Sequence, residues 1–227
     1  MIQLLLDKVN TDYDYMADKF SAARQYVWGD LKVLADYIKD DDKVLDWGCG
    51  NGRFFGLLQD RKVNYLGIDN CKRLIEIAQE KYPEADWQVS SDVPFQSFDV
   101  IIAIAAWHHL PSRKLRKEKL IEFFDGLNQG GYLLLTSWNL KQKKYFGLWL
   151  KNNLRNLFTG YEWNDVLVPW KADEENIYRY VHHQSKRSMI RLLHQVGFEV
   201  VTCYYSDDQQ RSNWWQGKNL IAIARKP

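Results

Sequence analysis

The fold is decided by residues 44–54, which read VLDWGCGNGRF. The apolar start predicts a strand, and the glycines after it let the backbone turn sharply and approach a ligand closely. The dinucleotide pattern G-x-G-x-x-G ends in a small residue, but Arg53 stands at that position here. Asp46 precedes the glycines, and its charge disfavours a pyrophosphate but favours a ligand with an ammonium and a sulfonium group. The loop therefore predicts S-adenosylmethionine (AdoMet) rather than NAD.

Two further carboxylates follow the next two predicted strands. Asp69 ends the second strand, where it can accept hydrogen bonds from the ribose hydroxyls. Asp92 follows the third strand and can accept a hydrogen bond from the adenine amino group. The alternative interpretation makes both acids ordinary turn residues. Because the loop and both acids follow successive strands, we predict that together they bind one nucleoside.

The predicted AdoMet contacts come from these segments, from strand 4 and from the N-terminal region. They are Asp46, Gly48, Cys49, Gly50, Asn51, Asp69, Asn70, Asp92, Val93, Ala103 and Arg24. For Arg24, contact with the substrate is an equal alternative to contact with the AdoMet carboxylate.

Strand and helix patterns alternate along most of the chain, which predicts an α/β fold with a parallel, doubly wound sheet. Residues 139–180 break the alternation and are expected to form an insertion on the substrate side with one amphipathic helix. Residues 1–40 are expected to be helices that cover the cofactor, and 1–227 to be a single domain. The predicted strands are Lys43–Trp47, Val63–Ile68, Asp86–Val89, Phe98–Ala105, Tyr132–Ser137, Phe198–Tyr205 and Asn219–Ala224. The predicted helices are Asp12–Phe20, Arg24–Ile38, Gly52–Gln59, Lys72–Lys81, Arg113–Leu127, Lys143–Leu157 and Ser185–Val196.

Composition narrows the class of protein. Hydrophobic residues make up 46% of the 227 residues, and the net charge is +2, so global charge does not indicate a nucleic-acid partner.

Cys49, Cys71 and Cys203 lack metal-site spacing, which predicts no metal and a reducing, cytoplasmic compartment. The N-terminus lacks a signal-peptide pattern. The longest apolar run, 100–107, is too short to span a bilayer, so no membrane association is expected.

The glycine loop, the two acids and the alternation over residues 42–137 resemble class I AdoMet-dependent methyltransferases. The resemblance implies a Rossmann-like, mostly parallel sheet of seven strands in the order 3-2-1-4-5-7-6, with strand 7 antiparallel. It also implies AdoMet across the carboxyl ends of strands 1 and 2.

A narrower resemblance rests on several short stretches. They read MADKFSAAR at 16–24 with Trp28, IAIAAWHHL at 102–110, GGYLLLTSW at 130–138, DVLVPW at 165–170, YRYVH at 178–182 and NWW at 213–215. Together they resemble the tRNA wobble-uridine carboxymethyl methyltransferases, which esterify 5-carboxymethyluridine. The resemblance implies the tRNA anticodon stem-loop as substrate and a small zinc-binding activator subunit as partner. Residues 128–129 depart from the family's usual proline before the paired glycines, and the loop 206–211 is enlarged.

Five residues are predicted on the substrate side. His108 and His109 follow strand 4, where the methyl group should be presented, and the alternative for both is a packing role. Trp138 ends strand 5 at the same edge. In the insertion, Trp170 can stack on a base and Arg179 can pair with a carboxylate or phosphate. Their alternatives are a core tryptophan and a surface arginine.

A carboxymethyl acceptor needs no strong base. Carboxyl reference pKa values are about 4, so the group is ionised at neutral pH and can attack the sulfonium methyl directly. The enzyme then has to position the two atoms and exclude water. The absence of an evident nucleophile–base pair in the sequence agrees with this chemistry.

Basic residues concentrate in three clusters, and no acid lies between Asp125 and Glu162. Such segregation predicts a phosphate-binding face, although a solvated helix face is an equal alternative for any one cluster. The sequence therefore favours methyl esterification of a tRNA wobble uridine. The alternatives are a small-molecule O- or N-methyltransferase and a catalytically silent scaffold subunit. The clusters are Arg113, Lys114, Arg116, Lys117 and Lys119; Lys141, Lys143, Lys144, Lys151 and Arg155; and Lys186, Arg187 and Arg191.

Overall fold

The computed structural model describes residues 2–23, 29–170 and 177–227. The helices are α1 Ile2–Ala23, α2 Gly29–Ala35, α3 Lys72–Lys81, α4 Arg113–Gly126, α5 Phe146–Asn156 and α6 Lys186–Val196. The strands are β1 Lys43–Trp47, β2 Asn64–Asp69, β3 Asp86–Val89, β4 Phe98–Ile104, β5 Leu127–Trp138, β6 Asp165–Pro169, β7 Tyr178–His182, β8 Glu199–Asp207, β9 Gln210–Ser212 and β10 Asn219–Arg225.

The main sheet has the order β3-β2-β1-β4-β5-β10-β8-β9. β1 pairs in parallel with β2 and β4, and β10 runs antiparallel to both β5 and β8. The expected Rossmann-like methyltransferase order and the antiparallel closing pair are therefore confirmed. The expected count of seven strands is wrong because β9 adds an eighth. Asp208 and Gln209 adopt left-handed φ angles of 50° and 77°, which turn the chain back so that β9 pairs with β8.

The helix predicted at Gly52–Gln59 is wrong, since the structure has only a 3₁₀ turn at Phe55–Leu57. Gly52 has a φ of +71°, and a Cβ there would lie 2.6 Å from the Trp87 ring. The apolar residues that gave the segment its helical pattern instead pack as a tight turn, in which Leu58 N–H bonds the Phe55 carbonyl at 2.8 Å.

The N-terminal helices also differ from the prediction. α1 begins at Ile2 instead of Asp12. Of the helix predicted at Arg24–Ile38, the described part is α2, Gly29–Ala35, and residues 24–28 lie outside the described chain. No helix in the described ranges combines the length and the apolar character needed to cross a membrane.

Apolar layers lie on both faces of the sheet. On one face, Leu45 belongs to a cluster that includes Phe123 of α4 and Met189 of α6. On the other face, its neighbour Val44 belongs to a cluster that includes Leu34 of α2. Because successive residues of a strand point to opposite faces, β1 contributes to both layers. The result is a three-layer α/β domain.

The insertion contains more than the single predicted helix. β6 and β7 form a separate antiparallel pair beside α5, which sequence reasoning missed. Asn152 accepts a hydrogen bond from Leu167 N–H at 3.2 Å, and Asn156 donates to the carbonyls of Glu162 and Asp165 at 2.9 and 2.8 Å. The inner face of α5 therefore serves the backbone of the hairpin.

Asp30 fastens α2 to the closing strands. Its buried carboxylate accepts hydrogen bonds from the Ser206 hydroxyl, from Gln209 N–H at 2.8 Å and from the Asn219 amide at 3.0 Å. Since Gly29 N–H also bonds Asp208 at 2.8 Å, the β8–β9 turn holds the start of the helix.

We expect Asp30→Ala to lower the free energy of unfolding by about 2–4 kcal/mol, because it leaves buried donors without an acceptor. Denaturant unfolding monitored by circular dichroism measures the change. Asp207→Ala is the matched control, because it removes a half-exposed partner of Lys218 and should cost no more than about 1 kcal/mol. Equal losses in the two variants would contradict the role of Asp30.

Candidate active site

A cavity of about 360 Å³ lies at the carboxyl ends of β1, β2 and β4. Most of the predicted AdoMet contacts line it, and residues of α1 form another part of its wall. The predicted residues that line it are Asp46, Gly48, Cys49, Gly50, Asn51, Asp69 and Asn70. The cavity joins the three chain segments that the sequence assigned to one ligand.

Backbone hydrogen bonds hold the glycine loop to the end of β2. The N–H groups of Gly48 and Cys49 both donate to the Ile68 carbonyl, at 2.8 and 3.1 Å. Gly48 has a φ of +72°, and a side chain there would collide with Ala106. Glycine is therefore needed where the loop passes the end of β4.

Asp69 shapes the loop and faces the cavity. One carboxylate oxygen accepts from Gly50 N–H at 2.9 Å and the other from Cys71 N–H at 2.9 Å. Each oxygen has a second lone pair that can accept a ribose hydroxyl. Burial raises the pKa of Asp69, and the backbone N–H donors oppose the rise. A hydroxyl donor from a ligand would favour the ionised form further.

Asp46 is a buried acid of the cavity wall. It is 2% exposed, and its Oδ2 accepts the Tyr65 hydroxyl at 2.6 Å. Its buried Oδ1 has no hydrogen-bond partner in the described chain. Burial raises the pKa of Asp46 to about 7. A ligand that brings a positive charge or a donor to Oδ1 fits this position, and AdoMet carries an ammonium group.

Three predicted contacts lie outside the cavity wall. Asp92 is exposed, Val93 packs against the core, and Ala103 is fully buried in it. Neighbouring residues, 90–91 and 104–106, line the cavity instead. The sequence located the segments, but the side-chain directions depend on the loop geometry. Arg24 falls outside the described residues.

The structure separates the roles of the two histidines. His109 lines the cavity, and its Nδ1 lies 2.6 Å from the Tyr180 carbonyl, which can only accept. The proton is therefore on Nδ1, and Nε2 accepts the Tyr13 hydroxyl at 2.9 Å. Burial lowers the pKa of His109 to about 4, so the ring is neutral near pH 7. His108 is fully buried, and its Nδ1 accepts Trp138 N–H at 3.3 Å.

Tyr13 belongs to a face of α1 that sequence reasoning missed. Leu6, Asn10, Tyr13 and Phe20 line the cavity at helical spacing. The prediction began the helix at Asp12, so the first half of this face was lost. A count of 3.6-residue periodicity from Ile2 onward was the signal that could have found it.

The predicted tryptophans and arginine form a stack beside the cavity. The guanidinium of Arg179 lies 4.6 Å from the ring centroids of both Trp138 and Trp170. Arg179 is 6% exposed, and Trp138 lines the cavity. The Phe20 ring lies 6.2 Å from Trp170 and links the stack to α1. Cation–π contacts with both indole rings hold the guanidinium in place.

The basic clusters divide into structural and exposed residues. Arg116 is buried and pairs with Glu162 at 2.6 Å, and Lys119 is buried against the Trp47 ring. Lys141 lies with its ammonium 4.4 Å from the Trp149 ring centroid. Other members remain exposed to solvent: Arg113, Lys114, Lys117, Lys143, Lys144, Lys151, Lys186, Arg187 and Arg191.

Glu162, Asp165 and His182 bring possible metal-ligand atoms within 4.8 Å of one another. Asp165 Oδ1 already accepts the Tyr180 hydroxyl at 2.6 Å and His182 Nδ1 at 2.7 Å. Glu162 pairs with Arg116. These contacts make the cluster a hydrogen-bond network that supports β6 and β7.

The sequence profile of a family described as "Methyltransferase domain" matches residues 20–203. A Xenopus tropicalis protein named tRNA (carboxymethyluridine(34)-5-O)-methyltransferase alkbh8 is 29% identical over 74% of this chain and 31% of that protein. The Saccharomyces cerevisiae tRNA (carboxymethyluridine(34)-5-O)-methyltransferase is 30% identical over 71% of this chain and 56% of that protein. The chain thus spans about a third of the frog relative and little more than half of the yeast one.

Solved structures share the fold. An AdoMet-dependent methyltransferase from Methanosarcina mazei superposes with a TM-score of 0.71 at 24% identity, over 86% of this chain and 96% of that one. A Haloferax volcanii methyltransferase chain, solved in complex with the Trm112 methyltransferase activator, gives a TM-score of 0.66 at 14% identity, over 95% and 98%.

The sheet order and the cavity at the carboxyl ends of its central strands define a class I, AdoMet-dependent methyltransferase. The chain belongs to the methyltransferase-domain family. The residues that line the cavity fit AdoMet as the cofactor, and solved structures of the same fold are named as AdoMet-dependent or hold its demethylated product.

We expect the affinity for AdoMet to rise about tenfold between about pH 6 and pH 8. Asp46 holds its proton up to about pH 7 in the folded protein, and only the ionised carboxylate attracts the AdoMet cation. Calorimetric titration across this range measures the change. Asp46→Asn keeps the size of the side chain and should give a flat profile. An equal rise in that variant would contradict a contact between Asp46 and the cofactor.

Proposed function

We propose that the chain transfers a methyl group from AdoMet to the carboxylate of 5-carboxymethyluridine at the wobble position of tRNA and so forms a methyl ester. The observation that carries the proposal is the placement of Arg179 between Trp138 and Trp170 at the rim of the cofactor cavity. A guanidinium suits a carboxylate, and indole rings suit an unstacked base. A single cluster thus offers groups for both parts of the modified nucleoside.

The proposed chemistry requires orientation rather than proton transfer. The acceptor carboxylate is ionised near pH 7, so one of its oxygens forms the new bond to the methyl carbon as the sulfur–methyl bond breaks. Arg179 pairs with the other oxygen and fixes the line of approach. Tyr13 and His109 close the cavity wall and exclude water. Burial keeps the His109 ring neutral near pH 7, and the hydrogen bond between Tyr13 and Nε2 holds it in one orientation.

The names of the relatives support the substrate. The frog and yeast proteins are named as tRNA carboxymethyluridine methyltransferases, and their similarity to this chain covers about three quarters of it. The exposed lysines Lys143, Lys144 and Lys151 lie in the same insertion as Arg179, and RNA phosphates favour such a surface. The cytoplasm is the proposed compartment, and the three cysteines are free thiols, as a reducing environment requires.

A small activator subunit is part of the proposal. The Haloferax volcanii neighbour was solved with the Trm112 methyltransferase activator, and its fold covers nearly the whole chain. The resemblance of the sequence motifs separately implies a small zinc-binding activator subunit. Assays of this chain should therefore be run with and without such a subunit.

The test of the function is incubation with labelled AdoMet and total tRNA that carries carboxymethyl groups, followed by nucleoside mass spectrometry. We expect a methyl ester of carboxymethyluridine as the product. tRNA that lacks the carboxymethyl modification is the control and should remain unlabelled. Methylation of small carboxylates or amines without a tRNA product, with the activator present, would favour the small-molecule alternative. Absence of AdoMet binding would favour the scaffold alternative.

We expect Arg179→Ala to lower kcat/KM for tRNA by about 100-fold or more, because it removes the cation that pairs with the acceptor. AdoMet affinity should change less than about twofold, since Arg179 lies outside the cofactor cavity wall. Steady-state kinetics and calorimetry measure the two effects. Arg179→Lys is the matched variant and should recover part of the activity, because the ammonium keeps the charge but loses the planar fork. Full activity of Arg179→Ala would remove it from the site.

A further inference from the structure

The loop at residues 213–218 lies at the same edge of the sheet as the active site. Asn139, which directly follows Trp138, donates from its amide to the carbonyls of Trp214 and Gly217, each at 2.7 Å. β10 starts immediately after the loop, and its Asn219 pairs with Trp138. Because Trp138 lines the cavity, the loop adjoins the mouth of the site.

This loop exposes two adjacent indole rings. Trp214 is 50% exposed and Trp215 is 37% exposed, and their ring centroids are 5.4 Å apart. The side chain of Asn213 accepts the N–H groups of Trp215 and Gln216, at 2.9 and 3.0 Å, and the Phe146 ring lies 5.3 Å from that of Trp215. The rings are thus held by a built turn. Exposed neighbouring aromatics on an ordered turn indicate a binding surface.

Two exposed lysines lie beside the loop that carries the two rings. Lys143 N–H donates to the Trp215 carbonyl at 2.9 Å, so the exposed Lys143 and Lys144 lie beside the loop. On the other side, Asp207 is paired with Lys218 at 2.6 Å. Flat rings beside lysines match a ligand with flat bases and phosphates, which is a single-stranded nucleic acid. An apolar protein partner would gain little from the lysines.

We propose that Trp214, Trp215, Lys143 and Lys144 form a tryptophan platform that binds unpaired nucleotides flanking the methylated one. The inference rests on the proposed function and extends it from the modified nucleoside to its neighbours. Bases that leave the stack of the anticodon loop can stack on the indole rings instead of on neighbouring bases. The two lysines then lie next to the intervening phosphates. The platform would position the substrate strand so that only one uridine reaches Arg179.

The experiment titrates the full chain, saturated with demethylated cofactor, with a labelled single-stranded RNA of about eight unmodified nucleotides. Fluorescence anisotropy at low salt reports the affinity. We expect the double variant W214A/W215A to bind about tenfold more weakly than the wild type, and W214F/W215F to retain most of the affinity. A duplex of the same length, whose bases are stacked internally, should bind all variants alike.

Trp163→Ala is the matched control. Trp163 is 52% exposed in the insertion, but it lies outside the 213–218 loop, and its ring packs edge-on against Trp149 rather than against a second exposed indole. The Trp163→Ala substitution should leave RNA affinity unchanged. Unchanged AdoMet affinity in each variant shows that the fold is intact. Wild-type RNA affinity of W214A/W215A, or equal losses for duplex and single strand, would overturn the platform. Wild-type RNA affinity of the double variant would be the result if the two tryptophans bind a protein partner instead of RNA.

The two proposals fail separately, because the titration needs neither methyl transfer nor a modified uridine. Ester formation on tRNA with full RNA affinity in W214A/W215A would overturn the platform alone. Weakened RNA binding in that variant without any tRNA ester would overturn the proposed function alone and leave an RNA-binding methyltransferase with another acceptor.

Discussion

The parallel pairing of β1 with β2 on one side and β4 on the other is the constraint on which the site depends. Parallel strands end at one edge of a sheet, so three segments that are distant in sequence meet there. The pairing places Trp47 beside Ile68, and the loop after β1 then bonds the Ile68 carbonyl through two N–H groups. Asp69, at the end of β2, completes the arrangement by accepting from Gly50 N–H. The shape of the loop is therefore a consequence of strand register.

Desolvation decides which groups near the cavity carry charge. Burial raises the pKa of Asp46 to about 7 and lowers that of His109 to about 4, so Asp46 is only partly ionised and His109 is neutral near pH 7. The buried His108 also has a lowered pKa, to which the nearby Arg179 contributes. Arginine does not lose its proton in proteins, so Arg179 keeps its charge where the histidines do not.

Buried asparagines on the inner face of α5 hold the insertion together. α5 turns Asn152 and Asn156 towards the domain, where they bond the backbone near β6, and leaves Leu150 and Leu154 exposed by 43% and 54%. A two-stranded sheet has open backbone groups along its edges, and the asparagine amides satisfy some of them. This support fixes β7 and with it Arg179. The usual amphipathic pattern, with apolar residues inward, would have left these backbone groups without partners.

Charge patterns in the sequence gave an incomplete account of the surface. Arg116 and Lys119 belong to a predicted basic cluster, yet they are buried in contacts with Glu162 and Glu122. A helix period places every third or fourth residue on the inner face, so part of any basic run on a helix turns inward. Which of these cations face solvent depends on the packing of α4 and on the position of the insertion.

The sequence by itself determined the class of fold and predicted most of the segments that line the cavity. The signals are local: they are the glycine spacing, Asp46 and Asp69. Each can be recognised from the few residues around the end of one strand, without knowledge of the tertiary structure. The resemblance to class I methyltransferases implied the strand order, apart from the turn at Asp208 that creates β9. Helix spans such as Lys72–Lys81 were predicted correctly because their apolar period is regular.

Only the tertiary structure decided the substrate side. The contact between Tyr13 and His109 joins residues 96 positions apart, and the stack of Trp138, Trp170 and Arg179 joins β5 to the insertion. No local period or spacing encodes such contacts, since they arise when separate elements pack. The proton position on His109 likewise depends on the Tyr180 carbonyl, which β7 brings to the ring. The sequence could name His109, Trp138, Trp170 and Arg179 as candidates, but it missed Tyr13. The mutual geometry of these residues came from the way the insertion and α1 fold over the edge of the sheet.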